Sequence, residues 1–260
     1  MKKRILAVLI ATALAVSVTG CAGNATSSSD STSASSVAES SDTSTQTSSD
    51  ASSEDESKNE SSQEESKDLE ANYTKYTLDG DLTQHMIDMS RLNEGNKVRL
   101  ANVIKKLKNG EEVTVGFIGG SITQGTSAGN DLCYAKLTAD WLQKTYSNAK
   151  INYVNAGIGA TGSYIGVHRV ANDLLSKNPD LVFVEFSVND TTENTERNKK
   201  SYDGLLRTIW KSSTNPAIIT IATTQEDGTS FQDQHAEIVK HYDLPMISYR
   251  NTILDTIKHG

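Results

Sequence analysis

The feature that most constrains the fold is an alternation of two kinds of segment between Leu92 and the C-terminus. Five short runs are apolar and rich in β-branched residues, as buried strands are. These runs cover residues 113–118, 151–155, 181–186, 217–222 and 244–248. Segments with apolar residues at helical spacing precede the first run (residues 92–107) and separate the others (134–145, 164–175, 202–210 and 232–241). This alternation predicts an α/β fold, a three-layer α/β/α sandwich with a five-stranded parallel sheet.

The first twenty residues have the pattern of an export signal. Three basic residues precede an apolar run, residues 5–18, which has the length of a signal-peptide core and is short for a bilayer span. The run leads into the letters VTGC at positions 18–21, which resemble the lipobox of bacterial lipoproteins. This resemblance predicts removal of residues 1–20 and lipidation of Cys21, with the protein anchored to the extracellular face of the cell membrane. The alternative is an ordinary signal peptide followed by an unmodified cysteine. If Cys21 carries lipid, Cys133 has no partner for a disulfide within the chain.

The segment that follows, residues 21–70, is dominated by Ser, Thr, Asp and Glu and cannot bury enough apolar surface to offset the entropy of ordering. We therefore predict a disordered, lipid-anchored linker at residues 21–70 and a folded domain at residues 71–260. Residues 24–70 carry 12 acidic and 2 basic side chains, whereas residues 71–260 carry 21 acidic and 20 basic ones. The domain is therefore nearly neutral, and it has no basic stripe of the kind that binds nucleic acid.

Polar or glycine-rich segments follow three of the predicted strands, at the point where each strand ends. They read GGSIT at 119–123, NAGIGATG at 155–162 and SVND at 187–190. Because ligands bind outside the carboxyl ends of parallel strands, we expect a serine hydroxyl, free backbone N–H groups and an asparagine amide at one edge of the sheet. Each segment alone is more typical of an ordinary turn. Together they provide what acyl transfer needs, a nucleophile and hydrogen-bond donors for the developing oxyanion.

These segments resemble the sequence blocks of the SGNH or GDSL-like esterases and lipases. GGSIT resembles the block with the nucleophilic serine, in the form common among carbohydrate-esterase-like members; NAGIGATGS and VEFSVND resemble the blocks that supply the oxyanion donors. The resemblance covers about residues 93–260 and implies the flavodoxin-like fold of that family. It further implies Ser121 as the nucleophile, the backbone N–H of Gly159 and the side chain of Asn189 as oxyanion donors, and no metal or organic cofactor.

Two departures from the family pattern are small. Ser187 stands where the third block often has glycine, and Ala160 stands where many members have the donor glycine. Because that donor is a backbone N–H group, Ala160 could also provide it, and the sequence does not distinguish Ala160 from Gly159. Asp190 could orient Asn189 or shape the edge of the site.

The third departure is large, because the family's last block, Asp-x-x-His, provides the general base and its orienting carboxylate. The five histidines of this chain are His85, His168, His235, His241 and His259, and none of them is in that pattern. His259 follows Asp255 with one residue too many, so it remains a candidate for a displaced base. The interpretation we favour is a chain that ends before the catalytic loop and the closing C-terminal helix.

The sequence leaves three classes of function to compare. The first is a surface-anchored esterase that hydrolyses short acyl esters, with acylated carbohydrate or another small ester as substrate and polysaccharide deacetylation as the reaction. The second is a catalytically impaired surface lipoprotein that retains the pocket as a carbohydrate-binding module. The third is a dinucleotide-binding protein, which we reject because the GIGATG segment follows the second strand rather than the first.

Three further residues on predicted helices have ordinary structural interpretations. His235 and His241 are six positions apart and do not share a helix face, so no metal site is predicted. Arg169 follows the second block and could face the site, although a surface or packing role is the interpretation we favour.

Overall fold

The computed structural model describes residues 83–191 and 194–259, with side chains described as far as residue 255. The predicted signal peptide, Cys21 and the linker of residues 21–70 lie outside the described residues. None of the helices within the described ranges is long and apolar enough to span a bilayer.

A six-stranded sheet with helices on both faces forms the described part of the chain. The strands are β1 (Arg91–Asn93), β2 (Glu112–Gly119), β3 (Lys150–Gly157), β4 (Leu181–Glu185), β5 (Ala217–Ala222) and β6 (Met246–Ser248). The helices are α1 (Gln84–Ser90), α2 (Val98–Lys108), α3 (Ser121–Gln124), α4 (Tyr134–Thr145), α5 (Ser163–Asp173), α6 (Thr195–Trp210), α7 (Gln232–His241) and α8 (Tyr249–His259). Short 3₁₀ turns cover Leu175–Lys177 and Asn189–Thr191.

The strand order is β1-β6-β5-β4-β2-β3. The five strands from β2 to β6 are parallel, which confirms the predicted α/β fold and its parallel sheet. The predicted number of strands was one too few, because β1 pairs antiparallel with β6 through Arg91 and Ile247. The three residues of β1 include one apolar side chain, that of Leu92, so they do not form the apolar run by which the other strands were predicted.

Two hydrophobic clusters lie on opposite faces of the sheet. Leu181 and Phe183 of β4 belong to one cluster, and Val182 and Val184 belong to the other. This division follows from the pleat of a strand, in which successive side chains point to opposite faces. Strand β4 is buried along its whole length, as a central strand covered on both faces must be.

Helix α2 begins at Val98, six residues later than the helical spacing predicted. Gly95 explains the difference, because its φ of +55° is a left-handed conformation that interrupts a helix. A Cβ atom on Gly95 would lie 2.3 Å from the carbonyl carbon of Leu244, so the turn also requires close backbone contact.

Helix α8 directly follows β6 and packs against α1. His85 Nε2 and Asp255 Oδ2 lie 2.7 Å apart, and the hydroxyl of Thr252 donates to the carbonyl oxygen of Met86 at 3.2 Å. Asp255 is therefore paired with His85, at the start of the described residues. We predicted that this chain lacks the family's closing C-terminal helix. The presence of α8 does not test that prediction.

Candidate active site

Ser121 lies directly after the carboxyl end of β2, as the first residue of the single-turn helix α3. The two glycines before it are required by the close approach of the strand next to β2. A Cβ atom on Gly119 would lie 2.4 Å from the carbonyl oxygen of Glu185, and one on Gly120 would lie 2.1 Å from Asn189 Oδ1. The side chain of Asn189 therefore contacts the backbone immediately before Ser121, so the structure brings these two predicted site residues together.

Gly159 lies on the other side of Ser121, in the loop that follows β3. A Cβ atom on Gly159 would be 3.9 Å from the Cβ atom of Ser121. The N–H group of Gly159 donates to Oε1 of Gln124 at 2.7 Å, so a side chain of α3 occupies the predicted oxyanion donor. Ala160, the next residue, has a φ of +59°. This left-handed conformation favours glycine, which explains why a glycine is typical at this position of the block.

Asn155 fixes the start of the same loop against α3. Its Nδ2 group donates to the carbonyl oxygen of Thr123 at 2.9 Å, and its Oδ1 atom accepts from the N–H group of Gly157 at 2.9 Å. The loop therefore cannot move independently of the turn that carries Ser121.

Asp190 anchors the turn that contains Asn189. Its carboxylate is buried, accepts from the N–H group of Ser163 at 2.8 Å and lies 2.9 Å from Nε2 of His235. Its carbonyl oxygen accepts from Asn198 Nδ2 at 2.9 Å. Asp190 thus joins the end of β4 to α5, α6 and α7, which supports a role in fixing the position of Asn189.

His235 is fully buried and packs where β4, α5, α6 and α7 meet. Its ring stacks on the ring of Tyr202, with the two centroids 3.5 Å apart. Burial lowers the pKa of His235, although the neighbouring Asp190 carboxylate opposes this effect. A neutral His235 that donates from Nε2 to Asp190 agrees with both the lowered pKa and the 2.9 Å contact. Among the described residues, the Nδ1 atom of His235 has no hydrogen-bond partner.

A buried carboxyl group at the end of β4, which the sequence analysis did not single out, lies close to these residues. Oε1 of Glu185 accepts from the hydroxyl of Thr223 at 2.7 Å and from both the N–H and hydroxyl groups of Ser187 at 3.1 Å. Burial raises the pKa of Glu185, because the charged form loses its hydration. These contacts explain the departure at Ser187, whose hydroxyl links the ends of β4 and β5. A glutamate that ends an otherwise apolar strand was the available signal in the sequence.

A cavity of about 270 Å³ opens beside Ser121. Its walls are mostly apolar and come from the segment after β2, the start of α4, the end of β5 and the start of α8. The lining residues are Ser121, Ile122, Gly125, Thr126, Ser127, Ala128, Leu132, Cys133, Tyr134, Thr223, Thr224 and Tyr249. Such a cavity can hold an organic group next to the Ser121 hydroxyl.

The histidines with described side chains lie elsewhere. His85, His168, His235 and His241 are absent from the cavity lining, and the side chain of His259 is not described. Within the described ranges, no group of three or more His, Cys, Asp or Glu side chains could hold a metal ion. The geometry therefore places Ser121 beside the Gly159 loop and the Asn189 side chain, without a histidine among the described cavity residues.

The fold agrees with that of solved esterases. Two structures of a two-domain esterase (CEX) active on acetylated mannans, one of them co-crystallized with mannopentaose, match this chain at 40% identity and a TM-score of 0.64. The match covers 66% of this chain and 47% of the esterase, so this chain spans about half the length of that protein. An acetyl xylan esterase, AlAXEase, matches at 23% identity and a TM-score of 0.48, over 56% of this chain and 82% of its own.

A comparison with curated proteins gives no match. Residues 117–246, half of the chain, match the family described as the GDSL-like Lipase/Acylhydrolase family. The matched range contains Ser121, Gly159 and Asn189. This chain therefore belongs to the GDSL-like lipase/acylhydrolase family, as its three sequence blocks predicted.

Proposed function

We propose that this protein is a serine esterase that removes short acyl groups, above all acetyl groups, from polysaccharide. The observation that carries the proposal is the convergence of Gly159 and Asn189 on Ser121 at the carboxyl edge of the parallel sheet. The substrate class is supported by the esterase active on acetylated mannans, which is 40% identical over the shared part.

The proposed reaction begins when Ser121 Oγ attacks the carbonyl carbon of the ester. The serine proton passes to a general base, and the carbonyl oxygen becomes an oxyanion that accepts from Asn189 Nδ2 and from a backbone N–H group. Collapse of this intermediate breaks the bond between the acyl carbon and the sugar oxygen, which takes the proton back from the base and leaves as the alcohol, so that an acyl-serine remains. Water then attacks the acyl group and releases the carboxylic acid, which restores Ser121.

The backbone donor in this proposal is Gly159 or Ala160. The N–H group of Gly159 donates to Gln124, so it becomes available when that side chain turns away. The contact is exposed, which makes this rotation easy. Gly159 lies beside Ser121 and Ala160 is the next residue of the same loop, so either N–H group is a candidate for this donor.

The general base decides how active this chain is. A serine hydroxyl without an adjacent base is a poor nucleophile, and loss of a triad member lowers the rate by on the order of 10⁴-fold. We propose that the base comes from an Asp-x-x-His block that is not in this sequence, and that the chain as given has only weak activity.

The test is hydrolysis of p-nitrophenyl acetate by the chain and by a version extended with a family-like C-terminus that contains Asp-x-x-His. Each is compared with its Ser121→Ala and His259→Ala variants. We expect strong hydrolysis only in the extended protein and its loss in Ser121→Ala. Strong hydrolysis by the chain as given, abolished by His259→Ala, would instead make His259 the base.

A second candidate is a carbohydrate-binding lipoprotein without catalytic activity. It is favoured by the lack of a histidine among the described residues that line the cavity. Binding of acetylated manno-oligosaccharides together with no Ser121-dependent hydrolysis, even in the extended protein, would support this candidate over the esterase.

A further inference from the structure

We infer that Arg169 is a positioning residue of the site, because it holds the turn that carries Ser121 and the loop that carries Gly159 at a fixed separation. The inference rests on the proposed function, since it concerns the reaction of the same site. Arg169 lies on α5 and is not among the residues that line the cavity. Its influence on the reaction would therefore pass through the backbone.

The guanidinium of Arg169 binds the two strands at the point where they leave the sheet. Nη1 donates to the carbonyl oxygen of Ala156 at 2.6 Å, and Nη2 donates to that of Gly119 at 3.1 Å. The oxygen of Gly119 also accepts from the N–H group of Ile158 at 3.0 Å. Beyond this point the two chains diverge, one towards Ser121 and the other towards Gly159. One planar cation thus spans the origin of both catalytic segments.

The chemistry of the side chain suits this role. An arginine presents several donors in a rigid fork, and its hydrogen bonds are strengthened by its charge. The side chain of Arg169 is only 11% exposed, and Asp173 Oδ2, at 3.1 Å from Nη1, partly balances the charge. Burial of a cation is unfavourable unless it is paired, so the two strand-end carbonyls account for an arginine at this place. A lysine has a single compact ammonium group and cannot hold both carbonyls in the same fixed geometry.

The contact sets the distance between the nucleophile and the oxyanion donors. A displacement of about 1 Å in a catalytic group lowers a rate by on the order of 10²-fold. The hydrogen bonds of Arg169 go to Gly119, Ala156 and Asp173, none of which lines the cavity, so its loss should lower kcat while KM changes little. We expect Arg169→Met to lower kcat by on the order of 10²-fold and Arg169→Lys by about tenfold.

The experiment compares these variants with Arg207→Met in the chain extended with the Asp-x-x-His block, with p-nitrophenyl acetate as the substrate and Ser121→Ala as the blank. Arg207 is the control, because it also pairs with an aspartate one helical turn away, Asp203 on α6 at 2.7 Å, but its side chain is exposed and its hydrogen bonds go to Asp203 and Tyr242. We expect Arg207→Met to retain wild-type kcat. Methylguanidinium should partly restore kcat in Arg169→Ala, whereas methylammonium should not. Only methylguanidinium has the planar set of N–H donors that can bind both carbonyl oxygens.

The inference is overturned if Arg169→Met, corrected for its folded fraction by circular dichroism, has the same kcat as Arg207→Met. If the extended protein has no Ser121-dependent hydrolysis, the proposed function fails, and amide exchange then tests the Arg169 contact alone. Exchange at the Ile158 N–H should be faster in Arg169→Met than in Arg207→Met. Equal exchange in the two variants would refute the contact as a constraint on the two segments.

Discussion

Two glycines in neighbouring helices provide a stability test of how the site is supported. Gly166 lies in α5 and Gly204 lies in α6, both within helix interiors. Alanine is favoured over glycine in a helix by about 1 kcal/mol, so each substitution gains this amount from the backbone. The two glycines differ in how much space a Cβ atom would have. A Cβ atom on Gly166 would be 2.7 Å from Phe186 Cζ, whereas one on Gly204 would be 3.5 Å from Val167 Cγ2, an ordinary contact.

The two substitutions should therefore have opposite effects on the free energy of unfolding. The ring of Phe186 is 0% exposed and has little room to move, and overpacking of a core costs about 1–3 kcal/mol. With the helix gain subtracted, we expect Gly166→Ala to be destabilised by about 1 kcal/mol and Gly204→Ala to be stabilised by about 1 kcal/mol. At about 2–4 °C per kcal/mol for a domain of this size, the Tm values should differ by roughly 4–8 °C.

The assay is urea and thermal unfolding of the full chain, followed by circular dichroism. Equal stability of the two variants would refute the argument, because it would mean that α5 can move away from Phe186 without loss. The packing of Gly166 against Phe186 also affects the candidate site. The close approach of α5 to Phe186 brings the N–H group of Ser163 to Asp190, the residue after Asn189.

Three further predictions concern the site, the buried acid and the anchor. Gly120→Ala should lower the kcat of the extended esterase by about 10²–10³-fold, because its Cβ atom would displace the Asn189 donor, whereas Gly204→Ala should retain kcat. Burial raises the pKa of Glu185 above its ordinary value of 4.5, so the unfolded chain releases this proton at a lower pH than the folded one. The free energy of unfolding should therefore fall as pH rises from 4.5 to the pKa of the folded state, by up to about 1.4 kcal/mol per pH unit, and then level off. Glu185→Gln should remove this fall, and a difference in Tm between wild type and variant that is independent of pH would contradict it. Labelled palmitate should enter the protein in its host, and Cys21→Ala should release it to the medium; unchanged membrane retention of that variant would refute the lipid anchor.

The sequence by itself determined the fold class and the position of the candidate site. Buried strands and amphipathic helices have different apolar periods, so the five parallel strands could be located from local pattern alone. Because the carboxyl ends of parallel strands meet at one edge, the positions of Ser121, Gly159 and Asn189 along the chain were enough to predict that they converge.

Only the tertiary structure decided how that edge is held together. The contacts of Arg169 with Gly119, of Asp190 with His235 and of Glu185 with Thr223 join residues that are 50, 45 and 38 positions apart. No local pattern specifies such pairs, since they depend on strand register and on the direction in which each side chain points. The same reason explains why the sequence could not show that Gln124 occupies the N–H group of Gly159. A local sequence pattern records which residues end the strands, whereas the supporting contacts exist only once the strands and helices are packed together.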